Sequence, residues 1–252
     1  MAHHTERVFV MFYFLLAPIM SYNIILILAA IVPAVFLMVK TFRSDRLEPE
    51  SPALLWQLFK AGVFSSLIAL ILERVGSLLI GLFAAPETTL YNVLLYFVVV
   101  ALSEEGAKYF LLRRNTWNHP EFNCQYDGVV YALFVSLGFA LWENISYVLQ
   151  YGFSTAIVRA VTAIPGHACF GVFMGVFYGI ARREANWKQD ARSRLFRILA
   201  VVIPVLLHGA YDYIASMQSE ASGWYFAVFV AVLFVVSFLL VSRASKRDRY
   251  IA

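Results

Sequence analysis

Apolar runs long enough to cross a bilayer follow one another along almost the whole of this chain, and charged side chains recur inside them. Seven such runs can be drawn, at about residues 8–39, 53–83, 89–112, 128–149, 155–181, 195–216 and 223–241, with short polar loops between them. In hydrocarbon each backbone N–H and C=O must be satisfied within its own segment, so runs of about 20 apolar residues have to be helices. The expected fold is all-α: a polytopic transmembrane helix bundle of about seven spans, or eight if the first run crosses twice. Composition agrees, because 61% hydrophobic and 14% charged residues over 252 positions leave too few charges to solvate a globular surface of that size.

The first run is longer than one span requires and contains Pro18, Ser21, Tyr22 and Asn23. It reads as one long tilted helix, or as an N-terminal anchor or interfacial extension over 1–22 that leads into a span from about Asn23. No small-residue cleavage site follows convincingly, so the segment reads as retained. With no linker, repeat or leftover soluble segment, 1–252 reads as a single integral membrane domain ending in a polar tail, 243–252, too short to fold. Lys and Arg gather in alternate loops (Lys40, Arg43, Arg46; Arg113, Arg114; Arg182 to Arg197) and in the tail, while 84–88, 150–154 and 217–222 hold none. By the positive-inside rule the basic loops and the C-terminus are cytoplasmic. The net charge of +4 comes from these clusters and carries no nucleic-acid signal; the expected surroundings are the lipid bilayer. Cys124 and Cys169 fit no metal or redox spacing and read as free thiols.

A charge at the centre of a spanning helix costs roughly 3 kcal/mol on insertion scales, so such residues point to function and face inward. Lys108 lies four residues after Glu104 and three after Glu105, within reach of either carboxylate on one helix face. One carboxylate is then held ionised while the other is free to take a proton; the bland alternative is a buried pair that fixes packing. His208 and Asp212 share a face at i,i+4, as an imidazole with its orienting acid, as two ligands of one metal, or as a structural pair. His167 follows Pro165-Gly166, where a broken helix turns the ring toward a cavity, although a lone membrane histidine also serves as an interhelical hydrogen bond. Glu143, beside Asn144, is either a site residue or a cap on a neighbouring helix. Depths at 1.5 Å per residue put Glu104, Glu143, His167 and His208 about 18–22 Å from their helix starts, which agrees with a shared site in the middle or outer half of the membrane.

Two histidines and several carboxylates on four helices suit zinc with an open water position, and equally suit metal-free activation of water by a glutamate with histidine partners. No His-Glu-x-x-His helix chooses between them. An ion- or proton-coupled transporter or channel would use the same buried groups; inverted repeats would favour it, and none is found. Arg159 reads as pairing with a carboxylate near the outer surface or snorkelling, and the adjacent Glu73-Arg74 as interfacial or mutually neutralising. Gly171, Gly175 and Gly179 read as a stripe for close helix packing, and Asp127-Gly128 as a capped helix start.

These residues fall into ordered motifs: Glu104-Glu105-x-x-Lys108, Tyr126-Asp127-Gly128, Gly138-Phe139-Ala140-x-x-Glu143-Asn144, Val158-Arg159-Ala160, His167-Ala168-x-x-Gly171 and Leu207-His208-Gly209-x-Tyr211-Asp212. With Asp45-Arg46-x-Glu48-Pro49-Glu50 in the first loop, the set resembles the PrsW family of intramembrane proteases over most of the chain after about residue 24. The family is related to CAAX prenyl endopeptidases and bacteriocin self-immunity proteins. That wider group has histidine where this chain has Glu143 and asparagine where it has Asp212, which favours the PrsW branch over prenyl-protein cleavage. The resemblance implies an intramembrane endopeptidase in a bacterial-type cell membrane, making the site-1 cleavage of a single-pass membrane protein of the anti-sigma-factor kind. One of Glu104 and Glu105, with Glu104 preferred, would be the base and Lys108 its tuning partner. Glu143, His167, His208 and Asp212 would hold zinc, or would orient water and polarise the carbonyl directly.

Overall fold

The computed structural model describes residues 31–32, 34–39, 41–43, 47–86 and 88–251. Most of the first apolar run and all of 1–22 lie outside them; 31–32, 34–39 and 41–43 are helical. Six described helical stretches are long and apolar enough to span a membrane, and the chain is a multi-pass helical bundle. They are α1 (Pro52–Ile80), α2 (Thr89–Thr116), α3 (Asp127–Tyr151), a broken fourth made of α4 (Phe153–Val161) and α5 (Ala163–Asn186), α6 (Asp190–Ala215) and α7 (Ser222–Lys246). All six match runs expected from the sequence.

Local chemistry sets the ends. Ser51 Oγ accepts the N–H of Leu54, and Pro52, with no N–H to lose, takes the first position of α1. Gly152 turns the chain from α3 into α4 at φ 86°, a conformation that a side chain would strain. The helix was expected to break at Pro165-Gly166, but it breaks at Thr162 (φ −119°, ψ −69°). Proline is tolerated in a first turn, where its missing N–H has no partner in any case, so α5 starts just before Pro165 and carries His167 on its second turn.

The helix α3 is the centre of the bundle, with Val130, Tyr131, Ala132, Val135, Leu137 and Ala140 wholly buried. On one side α1 approaches so closely that a Cβ on Gly62 or Gly138 would strike the opposing backbone. On the other side α5 presents the expected glycine stripe: Gly171 faces Ser136, Gly175 faces the backbone of Gly128 and Val129, and Gly179 faces Gln125. Outward faces of α1 and α7 carry exposed apolar residues such as Ile71, Leu78, Val228 and Phe238, as lipid contact requires.

One irregularity lies next to the conspicuous glutamates. The run read as one regular span holds a π-helical stretch, Leu94–Ala101, between two α-helical pieces. An unbroken apolar run does not distinguish i→i+4 from i→i+5 bonding, which is why the pattern gave no sign of it. The wide turn lays Phe97 on α6 at Gly209, where a Cβ would come within 2.5 Å of the ring.

The Lys- and Arg-rich loops gather at one end. Residues 243–246 continue α7, and the following residues pair with the α2–α3 loop: Gln125 N donates to Arg249 O, Ile251 N to Asn123 O and Tyr126 N to Asp248 Oδ1, so that Ile251 is buried. Asp127 was expected to cap α3, yet it is the first residue inside the helix, and its Oδ2 accepts the loop N–H groups of Asn123 and Cys124 instead. Both cysteines are free and buried.

Glu50 of the first loop is buried at this end and accepts the Tyr131 hydroxyl at 2.7 Å. Burial first, and the Asp127 carboxylate next, push Glu50 up to about 9 against the opposing hydrogen bond from Tyr131. Its proton is bound more tightly in the folded than in the unfolded chain, so stability is full below the ordinary carboxylate range and falls as pH rises toward 9. Glu50→Gln, which mimics the protonated acid, should flatten that loss in detergent melting curves between pH 5 and 9. Parallel curves for the two proteins would refute the assignment.

Candidate active site

The expected site residues converge. Glu104, Glu105 and Lys108 come from α2 just beyond the π-helical stretch, Glu143 and Asn144 from α3, Arg159 from α4, His167 from α5, and His208 and Asp212 from α6. A cleft of about 530 Å³ is lined by Glu73, Glu104, Glu143, Arg159, His167, His208 and Asp212. His208 and Glu143 lie about 10 and 12 Å from the ends of their helices at 1.5 Å per residue, which sets the cleft in the half away from the basic loops.

Lys108 is wholly buried and is the hub of the cluster. Its Nζ lies 3.3 Å from Glu104 Oε2, 2.8 Å from Glu105 Oε1 and 3.1 Å from His167 Nδ1, with the Phe139 ring 3.8 Å from it on another side. An ammonium has three N–H groups and no lone pair, so these three acceptors use all of its capacity. His167 Nδ1 must then accept, which leaves the ring proton on Nε2, where it is donated to Glu143 Oε2 at 2.8 Å. The contact from lysine therefore settles the tautomer of His167.

The two adjacent glutamates are not equivalent. Glu105 is fully buried; its Oε1 also faces His208 Nδ1 at 2.9 Å, and it does not line the cleft. Glu104 does line it, holding Lys108 only by the longer contact. His208 Nε2 lies 3.3 Å from Asp212 Oδ2, so the i,i+4 pair forms as spaced and the imidazole is held between two carboxylates. Phe170 stacks on His208 at 4.7 Å and restricts the ring further.

Two cleft residues were left out of the site by sequence reasoning. Arg159 donates Nη2 to Glu143 Oε2 at 2.7 Å and Nε to Asn144 Oδ1 at 2.9 Å, with Tyr147 4.1 Å beneath it. Of its two expected roles, pairing with a carboxylate holds; that the carboxylate is Glu143 depends on the turn at Gly152 folding α4 back on α3. Glu73 faces the cleft and forms no ion pair with Arg74 among the described residues. The only signal for either was a charge inside an apolar run.

Four donors meet the spacing of a metal site: Glu104, Glu105, His167 and His208 offer ligand atoms all within 4.8 Å of one another. Glu143 and Asp212, expected among the ligands, lie outside this group, on the far nitrogens of His167 and His208. The ammonium of Lys108 is within hydrogen-bonding distance of three of the four donors. Zinc at about 2.0–2.2 Å from the same atoms would need the space and the lone pairs that the ammonium takes.

Over residues 50–241 the chain matches the family model described as PrsW family intramembrane metalloprotease. It is 32% identical to Protease PrsW of Geobacillus kaustophilus over 89% of this chain and 94% of that one. It is 34% identical to Protease PrsW of Clostridioides difficile over 84% and 88%, and 39% identical to that of Bacillus subtilis over 58% and 63%. No solved structure matches this chain.

Removing the hub should expose its role. Lys108→Met leaves Glu105 and His167 without their buried donor and should cost about 3–5 kcal/mol, as loss of one partner of a buried pair does. Adding Glu105→Gln should return part of that loss in detergent unfolding. A single-variant cost below about 1 kcal/mol would show that the ammonium is not what holds the cluster together.

Proposed function

Because this chain belongs to the PrsW family and is an intramembrane protease, we propose that it hydrolyses a peptide bond of a single-pass membrane protein, as in site-1 cleavage of an anti-sigma-factor-like substrate. The position of the cleft supports this. It lies away from the Lys- and Arg-rich loops, which the positive-inside rule assigns to the cytoplasm, so the scissile bond would enter from the outer side of a bacterial-type cell membrane.

The observation that carries the mechanism is the division between the two glutamates. Glu104 faces the cleft and would take a proton from water as its oxygen attacks the scissile carbonyl, then give that proton to the leaving amine. Glu105, held by Lys108 and His208, would stay a fixed negative charge that anchors both. His208, anchored on Glu105 through Nδ1, would turn its Nε2 N–H from Asp212, the longer of its two contacts, toward the developing oxyanion, and the His167–Glu143–Arg159 line would hold the opposite wall.

Zinc is the cofactor that the family description suggests, and the donors are of the right kind. With the Lys108 ammonium among them, the four donors do not fit a resident dication, so the proposed reaction runs through the carboxylates and imidazoles themselves.

Glu104→Gln should lower cleavage of a co-reconstituted single-pass substrate by at least about a hundredfold while the helix content is kept. Prolonged chelation should leave wild-type cleavage unchanged. Full activity in Glu104→Gln would remove it as the base, and activity lost on chelation and restored by zinc would establish the metal route.

A further inference from the structure

A second cavity, about 580 Å³, lies on the face of α5 opposite the cleft. Pro165, Ala168 and Val172 form its floor, and Leu37, Phe234 and Phe238 line its sides. At the basic end the lining turns polar, with Ser242 and Ser245 and then Arg43 and Lys246; no acidic residue lines it among the described residues. Both cations are exposed, and neither forms an ion pair among the described residues.

We propose that this groove is a binding site for an anionic phospholipid, one acyl chain lying along α5 and α7 and the phosphate between Arg43 and Lys246. From Phe234 to Lys246 the groove runs about 18 Å at 1.5 Å per residue. That is slightly more than half of a roughly 30 Å hydrocarbon core, so a chain from one leaflet fits with its headgroup at the basic end. Two cations with no acidic residue among the described lining select a negative headgroup over a zwitterionic one. His167 projects from the other face of the floor helix, so the lipid chain backs the segment that positions it.

The test is lipid retention by the full chain in detergent, offered phosphatidylglycerol and phosphatidylcholine together and read by native mass spectrometry. The wild type should keep one phosphatidylglycerol with a preference of about 25-fold, roughly fivefold from each cation. Arg43→Gln should lower this to about fivefold and Arg43→Gln with Lys246→Gln should abolish it, while circular dichroism reports unchanged helix content. Ala168→Phe, which fills the floor, should lose bound lipid of both kinds. Equal retention of the two lipids, a preference that survives in the double variant, or displacement by glycerol phosphate as effective as by lipid would each overturn the proposal. So would a dimer signal that Ala168→Phe removes.

Discussion

A wholly buried ammonium organises this membrane domain. Taking a lysine out of water costs several kcal/mol, and the cost is recovered only where every N–H finds an acceptor and the charge finds its opposite. Lys108 meets both conditions with Glu104 and Glu105 of its own helix and His167 of α5, under the Phe139 ring of α3. Through Glu105 the same network reaches His208 of α6, and through His167 it reaches Glu143 and then Arg159 of α4. Five helices are thus held in register by one proton-rich centre, in a medium that provides no hydrophobic force between helices to do so.

The irregular backbone serves that centre. Reaching a common point from five helices requires α3 and α5 to touch backbone to backbone, which the glycine stripe permits, and α4 to fold back on α3, which Gly152 permits. The π-helical stretch brings Phe97 onto Gly209, beside His208, and feeds directly into the turn that holds Glu104 and Glu105. Wide turns of this kind concentrate at functional sites, and here the cause is local: α2 must meet α6 closely enough for Glu105 to reach His208.

How much of this was legible follows from the range of each interaction. Contacts within one helix are written in spacing, so the Glu104, Glu105 and Lys108 cluster and the His208–Asp212 pair were readable from i,i+3 and i,i+4 alone. The spans were readable from apolar length. Contacts between helices depend on rotation and depth, which no spacing encodes. Lys108 to His167, Arg159 to Glu143 and Tyr131 to Glu50 therefore went unseen, as did the inward turn of Glu73. The helix break was misplaced by a few residues because Pro165 marks where a helix begins as readily as where one ends.

The same centre bears on the cofactor. A metalloprotease site and this cluster draw on the same donors, two carboxylates and two imidazoles, but each lone pair serves one cation at a time. Lys108 is anchored three and four residues from its two carboxylates on a single helix, so its ammonium cannot leave the group without leaving buried charge uncompensated. A dication entering would have to move the lysine and release both His167 and Glu105, and with them the bonds that fix Glu143 and His208. Metal loading would then be a rearrangement of the bundle's core, whereas a water molecule needs only the cleft-facing oxygen of Glu104. The lower-cost arrangement keeps the charge resident in the chain and leaves one carboxylate free for the proton.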